Sequence, residues 1–139
     1  PDVVVVAAYN FSERKHWVPG WDRTLRRILA TGAQVMYVQP TPVPDFDVQT
    51  CLSAALDDWN RCAVDVARQP PDPVAAAIRD GKYPGARLAD LTRYLCTPTV
   101  CPVVRDHVLI YRDRSHLTDT AARGLEPVLL AALKPALRS

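Results

Sequence analysis

Val3-Val4-Val5-Val6-Ala7-Ala8 runs into Tyr9-Asn10-Phe11-Ser12, and Ala33-Gln34-Val35-Met36-Tyr37-Val38 repeats the apolar pattern after one helical stretch. An uninterrupted Val-rich run marks a strand buried on both faces, as in a parallel sheet. Between the two runs, Asp22 is placed to N-cap a helix in which Leu25, Ile28 and Leu29 share a face, and Gly32 ends it. Strand, helix and strand in that order make a parallel β-α-β unit, so these residues set the class as α/β.

Working outward, the second strand stops at Gln39-Pro40-Thr41-Pro42-Val43-Pro44, whose prolines cannot extend a ladder. Residues 45–85 read as an insertion. It contains Cys51, Cys62, the Pro70-Pro71 break, and a short helix from Asp72 (N-cap) and Pro73 to Gly81. Ala86–Leu91 is expected as a third strand and Val108–Tyr111 as a fourth strand or strand end. Thr118 can cap a final helix carrying Ala121, Leu125, Val128, Leu129, Ala132 and Leu133, with a kink or break at Pro127. We expect a three-layer, mostly parallel sheet in a single domain over 1–139.

Composition narrows the function classes. The chain has 139 residues, 48% hydrophobic and 23% charged, which suits one globular core. A formal charge of +2 is too small to argue for nucleic acid, and Arg23, Arg26 and Arg27 read as a solvated helix face. No apolar run approaches the ~18 residues of a membrane helix, and no signal peptide is visible. The chain starts at Pro1, without Met, and enters an apolar strand at once. We therefore expect a piece of a longer polypeptide, truncated at its N-terminal side.

The four Cys fall in two local pairs, Cys51/Cys62 and Cys96/Cys101, which points to disulfides in an oxidising compartment. Zinc is the rival, but there is no Cys-x-x-Cys and only His107 lies near. Local pairing carries a demand. In one continuous helix Cys51 and Cys62 would lie about 16 Å apart, whereas a disulfide needs Cα atoms within ~7 Å. The segment between them must turn back.

The chemistry concentrates in Leu109-Ile110-Tyr111-Arg112-Asp113-Arg114-Ser115-His116-Leu117-Thr118. A carboxylate beside an imidazole can accept its Nδ1–H, fix the tautomer and free Nε2 as a general base. Glu13 and His16 have the same spacing, but they sit in a charged run that reads as a solvated loop. Asp113 and His116 instead follow a strand and precede a helix, where catalytic groups gather in this architecture. A capping pair is the alternative. No Ser is a convincing nucleophile: Ser115 lies between acid and base, Ser12 lacks a Gly-rich elbow, Ser53 sits in the insertion and Ser139 is terminal.

These residues resemble the C-terminal portion of an SGNH-type domain, the kind fused or related to membrane O-acyltransferases of acyltransferase family three. Asp2–Asn10 resembles the strand leading to that family's oxyanion Asn. The Cys pairs, Leu91–Cys96, Cys101-Pro102 and Tyr111–Thr118 resemble its closing Asp-x-x-His block. The resemblance implies a flavodoxin-like SGNH fold, with His116 as general base, Asp113 as its orienting partner and Asn10 as an oxyanion donor. Ala8 stands where the family has Gly in its Gly-x-Asn. Trp17 or Trp21 would flank the acyl or sugar site, or pack in the core. The family's Gly-Asp-Ser block, with its nucleophile, would lie upstream of Pro1. The implied activity is O-acyl transfer or ester hydrolysis on cell-envelope glycans, outside the cytoplasm and tethered through an N-terminal membrane domain. On that reading this fragment alone is inactive, and no cofactor or metal is needed. A non-catalytic binding or scaffolding domain is the alternative.

Overall fold

The computed structural model describes residues 1–9 and 13–137; the expected oxyanion donor Asn10 lies outside the described residues, as do Ser12 and Ser139. In chain order the elements are β1 (Val3–Ala7), α1 (Trp17–Leu29), β2 (Gln34–Val38), α2 (Val48–Ala54), β3 (Val64–Asp65), α3 (Pro73–Arg79), β4 (Ala86–Ala89), α4 (Thr92–Leu95), β5 (Val100–Cys101), β6 (Val104–Arg105), β7 (Val108–Leu109), α5 (Asp119–Gly124) and α6 (Glu126–Leu133), with 3₁₀ turns at Trp59–Cys62 and Val66–Arg68. They divide into two compact units. The first is Pro1–Pro40, Pro70–Leu91 and Val128–Ser139; the second is Thr41–Gln69 and Thr92–Pro127.

The first unit holds a parallel sheet in the order β1-β2-β4. Register puts Val4, Val35 and Ala86 in one row and Val6, Tyr37 and Leu88 in another. These rows share a face with α1 and α3, where Leu25, Val74, Ala75, Ile78 and Tyr83 complete the core. The α/β reading with a parallel sheet therefore stands. Within the insertion expected at 45–85, the helix expected from Asp72 to Gly81 is α3, part of the crossover between β2 and β4. Asp72 caps it as expected, accepting from Val74 N–H at 3.0 Å and Ala75 N–H at 2.9 Å, and it also accepts from the buried Tyr37 hydroxyl at 3.1 Å.

Three expectations need correction. First, Val5 is 51% exposed, although an uninterrupted Val run predicts burial on both faces. Among the described residues β1 pairs only with β2, so it is an edge, and Val5 shares its row with the exposed Arg87 on the face away from α1 and α3. Second, α1 starts at Trp17, and the residue before it, His16, makes no side-chain cap. Asp22 lies inside the helix, where its carboxylate meets Arg26 at 3.0 Å, Lys82 at 3.1 Å and the Tyr83 hydroxyl at 2.8 Å. Those partners, Arg26 first, hold its carboxyl well below the usual carboxylate range. Third, Val108-Leu109 does not join the parallel sheet. It pairs antiparallel with Val104-Arg105 in the second unit.

The second unit is built on short ribbons and disulfides. β3 pairs antiparallel with β5, placing Val64 opposite Cys101. Cys51 bonds Cys62 and Cys96 bonds Cys101, the local pairing expected from sequence. The required reversal is made by the end of α2 and the 3₁₀ turn at Trp59–Cys62, which bring the Cys51 and Cys62 Cα atoms to 5.9 Å. Pro127 acts as predicted: the terminal helical pattern breaks into α5 and α6 at Leu125.

Candidate active site

Asp113 and His116 lie in a closed loop of the second unit. Tyr111 and Leu117 form an antiparallel bridge. Inside it, Arg112 N–H donates to the His116 carbonyl at 2.8 Å, and Thr118 N–H donates to the Ile110 carbonyl at 2.9 Å. Thr118 finishes the loop. Its hydroxyl donates to the Leu109 carbonyl at 2.6 Å and accepts Ala121 N–H at 3.1 Å as the N-cap of α5. The loop is therefore held by backbone bonds on one side and by a helix cap on the other.

Asp113 organises the interior. Its Oδ1 accepts the backbone N–H groups of Ser115 and His116, each at 2.9 Å, and both carboxylate oxygens lie 2.9 Å from His116 Nδ1. The two backbone donors, then the imidazole, hold the Asp113 carboxyl well below the usual carboxylate range. An ionised Asp113 accepts Nδ1–H, an arrangement in which a neutral imidazole has its lone pair on Nε2. Nε2 has no hydrogen-bond partner among the described residues, and the His116 side chain is 64% exposed. The carboxylate that caps the turn is thus also the one that contacts Nδ1.

The other sequence candidates separate cleanly. Ser115 Oγ lies 3.3 Å from Nδ1 of His116, on the Asp113 side of the ring and away from Nε2. Ser53 donates its hydroxyl to the Thr50 carbonyl at 2.8 Å. Glu13 and His16 form no ion pair or hydrogen bond with each other among the described residues, and both are exposed. The cysteines are all oxidised, and no described group of His, Cys, Asp and Glu is placed to hold a metal.

One supporting residue was not visible in the sequence. Gln49 on α2 donates Nε2–H to the Arg112 carbonyl at 3.0 Å, which ties the loop to the disulfide-anchored helix. The two residues are 63 apart in the chain, so no local pattern announces the bond.

No curated protein matches the chain. The structure is similar to that of the Salmonella ser. Paratyphi A lipopolysaccharide acetyltransferase periplasmic domain, with a TM-score of 0.63 and 13% sequence identity. The match covers 100% of this chain and 57% of that one, so the chain spans a little over half of that domain's length, and the likeness is one of fold. A family model described as the SGNH domain (fused to AT3 domains) matches residues 1–131. The chain belongs to that family of SGNH domains, the kind that occurs joined to an AT3 domain.

Proposed function

We propose that this chain is part of an extracytoplasmic O-acyltransferase or acetylesterase acting on cell-envelope glycans, tethered by a membrane acyltransferase domain of the same polypeptide. The observation that carries the reading is the Asp113–His116 pair: a carboxylate on Nδ1 and an Nε2 with no partner among the described residues. The family and the periplasmic lipopolysaccharide acetyltransferase of like fold support the substrate class and the compartment. The two disulfides agree with an oxidising setting.

In the proposed reaction a serine supplied from upstream of Pro1 attacks the ester carbonyl of the acyl donor. His116 Nε2 takes the serine proton, and Asp113 stabilises the imidazolium through Nδ1. Asn10 donates to the oxyanion of the tetrahedral intermediate. Collapse expels the donor's alkoxide, which takes the proton back from Nε2 and leaves an acyl-serine. A sugar hydroxyl or water then attacks, Nε2 removes its proton, and the departing serine recovers it. β1, an edge strand among the described residues, offers a free hydrogen-bonding side for the serine-bearing strand.

The test is turnover of a chromogenic acetate ester by this chain and by an upstream-extended chain. We expect activity in the extended chain only, reduced about 10²–10⁴-fold by His116→Ala. Equal His116-dependent turnover by the short chain overturns the upstream nucleophile. Extended-chain turnover indifferent to His116→Ala overturns His116 as the base, and no turnover by the extended chain leaves the alternative, a binding or scaffolding domain.

A further inference from the structure

We propose that the outer face of α1 is a binding site for an anionic sugar, a pyranose carrying a phosphate or carboxylate. The inference rests on the first unit alone and does not depend on the catalytic reading of Asp113 and His116. A shallow groove of about 500 Å³, largely open to solvent, runs along this helix past His16, Trp17, Gly20, Trp21, Arg23 and Arg27.

Gly20 is the floor. A glycine in a helix interior costs about 1 kcal/mol relative to Ala. Here nothing in the described residues beyond its own helix turn forces it, because a Cβ at Gly20 would meet none of their atoms within 4 Å, and its φ is not in the left-handed region. What the missing side chain does is keep the groove open.

The walls are rigid and aromatic. Trp21 packs edge-on against Tyr37 with ring centroids 5.2 Å apart, and Trp17 packs against Trp21 at 6.0 Å. Both indoles lean on the core of the first unit and are only partly buried. They present a fixed apolar surface of the kind on which a sugar ring's C–H face packs. Anchored in this way, they are not projecting side chains of the sort that dip into a bilayer.

The charge is positive and unspent. On the same helix Asp22 is occupied by Arg26 and Lys82. Arg23 and Arg27, one helical turn apart on the groove, have no ion pair or hydrogen bond among the described residues, and His16 adds a polar nitrogen at one end. Two exposed guanidiniums beside a fixed aromatic wall match a ring bearing an anion. A neutral sugar would leave both unmatched. A nucleic acid needs a long basic track, and one groove on a chain of net charge +2 does not provide it.

The experiment follows the indole N–H resonances of Trp17 and Trp21 in the 139-residue chain during titration with glucose 1-phosphate, glucuronate, glucose and inorganic phosphate. Sedimentation with phosphatidylglycerol vesicles runs in parallel. We expect glucose 1-phosphate or glucuronate to shift both resonances, and the responding one identifies the anion. Glucose should bind at least tenfold more weakly, and added salt should weaken the anionic sugar. Arg23→Gln with Arg27→Gln should reduce affinity at least tenfold. Gly20→Gln, which fills the floor while improving helix propensity, should abolish binding and leave the rest of the spectrum unchanged. The proposal is overturned by undiminished affinity in either variant, by inorganic phosphate binding as tightly as the sugar phosphate, or by vesicle binding without any response to the soluble sugars.

Discussion

Breaking the Cys51–Cys62 disulfide should release the Asp113–His116 loop before it disturbs the parallel sheet. The second unit's ribbons are only two residues long, so its buried side chains, Val48, Val103 and Tyr111 among them, and its disulfides hold it together. Cys62 and Cys101 are among its most deeply buried side chains, and both belong to the β3–β5 region, where Val64 pairs with Cys101. Cys62 fastens α2 there, and Gln49 on α2 holds the Arg112 carbonyl. The load path therefore runs from ribbon to disulfide to helix to loop.

Loop-closure entropy sets the magnitude. A separation of 11 residues corresponds to about 3 kcal/mol, and the separation of 5 at Cys96–Cys101 to about 2 kcal/mol. Together they rival the low end of whole-domain stability, roughly 5 kcal/mol. In Cys51→Ala/Cys62→Ala, amide exchange should therefore accelerate about 100-fold at Arg112, Thr118 and Ile110, whose N–H groups bond within the second unit. Val35 and Gln39, bonded to the Gly85 and Ala89 carbonyls of the parallel sheet, should keep their protection. Unchanged exchange at Arg112 and Thr118 would refute the load path. An equal acceleration at all five amides would show that the chain opens as one cooperative unit.

Other perturbations probe the rest of the frame. Asp72→Ala removes an N-cap and strands the buried Tyr37 hydroxyl, so urea unfolding should show a loss of about 2–4 kcal/mol. In a Tyr37→Phe background the same change should cost only the cap, about 1 kcal/mol. Gly85 has φ +90°, and a Cβ there would sit 3.0 Å from Leu29 Cδ2, so Gly85→Ala should destabilise by about 1–3 kcal/mol in the same assay. Burial pushes the Tyr111 hydroxyl up to about 12. Below pH ~10 that hydroxyl is protonated in both folded and unfolded chains, and stability does not change with pH on its account. Above it the unfolded chain ionises first, so this residue's contribution falls by about 1.4 kcal/mol per pH unit until the folded value is passed. Tyr111→Phe should flatten that decline in urea midpoints measured between pH 9 and 12.

Much of this was legible where the physics is local. The Val-rich runs named the parallel strands, Asp72 and Thr118 announced their helices, and Pro127 broke the last one. Errors arose where tertiary partners decide. Asp22 looks like a cap because Asp is a good one, but Arg26, Lys82 and Tyr83 claim its carboxylate within the helix. Val5 looks buried because Val usually is, yet a strand's place in the sheet is not written in its own residues. The bond from Gln49 to Arg112 is equally silent.

The two acid-x-x-His pairs show what a spacing can and cannot carry. Glu13/His16 and Asp113/His116 are identical as patterns, and only the second is a pair in the structure. The difference starts with one methylene. An Asp carboxylate is short enough to accept N–H groups two and three residues ahead, which curls the chain and brings the third residue's side chain over the acid. Asp113 does this to Ser115 and His116, so the backbone turn and the Nδ1 contact are a single event. A Glu reaches past its own turn and cannot close the loop in the same way. His116 therefore owes its orientation to the residue type at 113 as much as to the spacing. Asp113→Glu should then preserve the charge while losing both backbone bonds. In the exchange experiment it should expose the Ser115 and His116 amides and free Nδ1, whereas a pair held by charge alone would leave the imidazole in place.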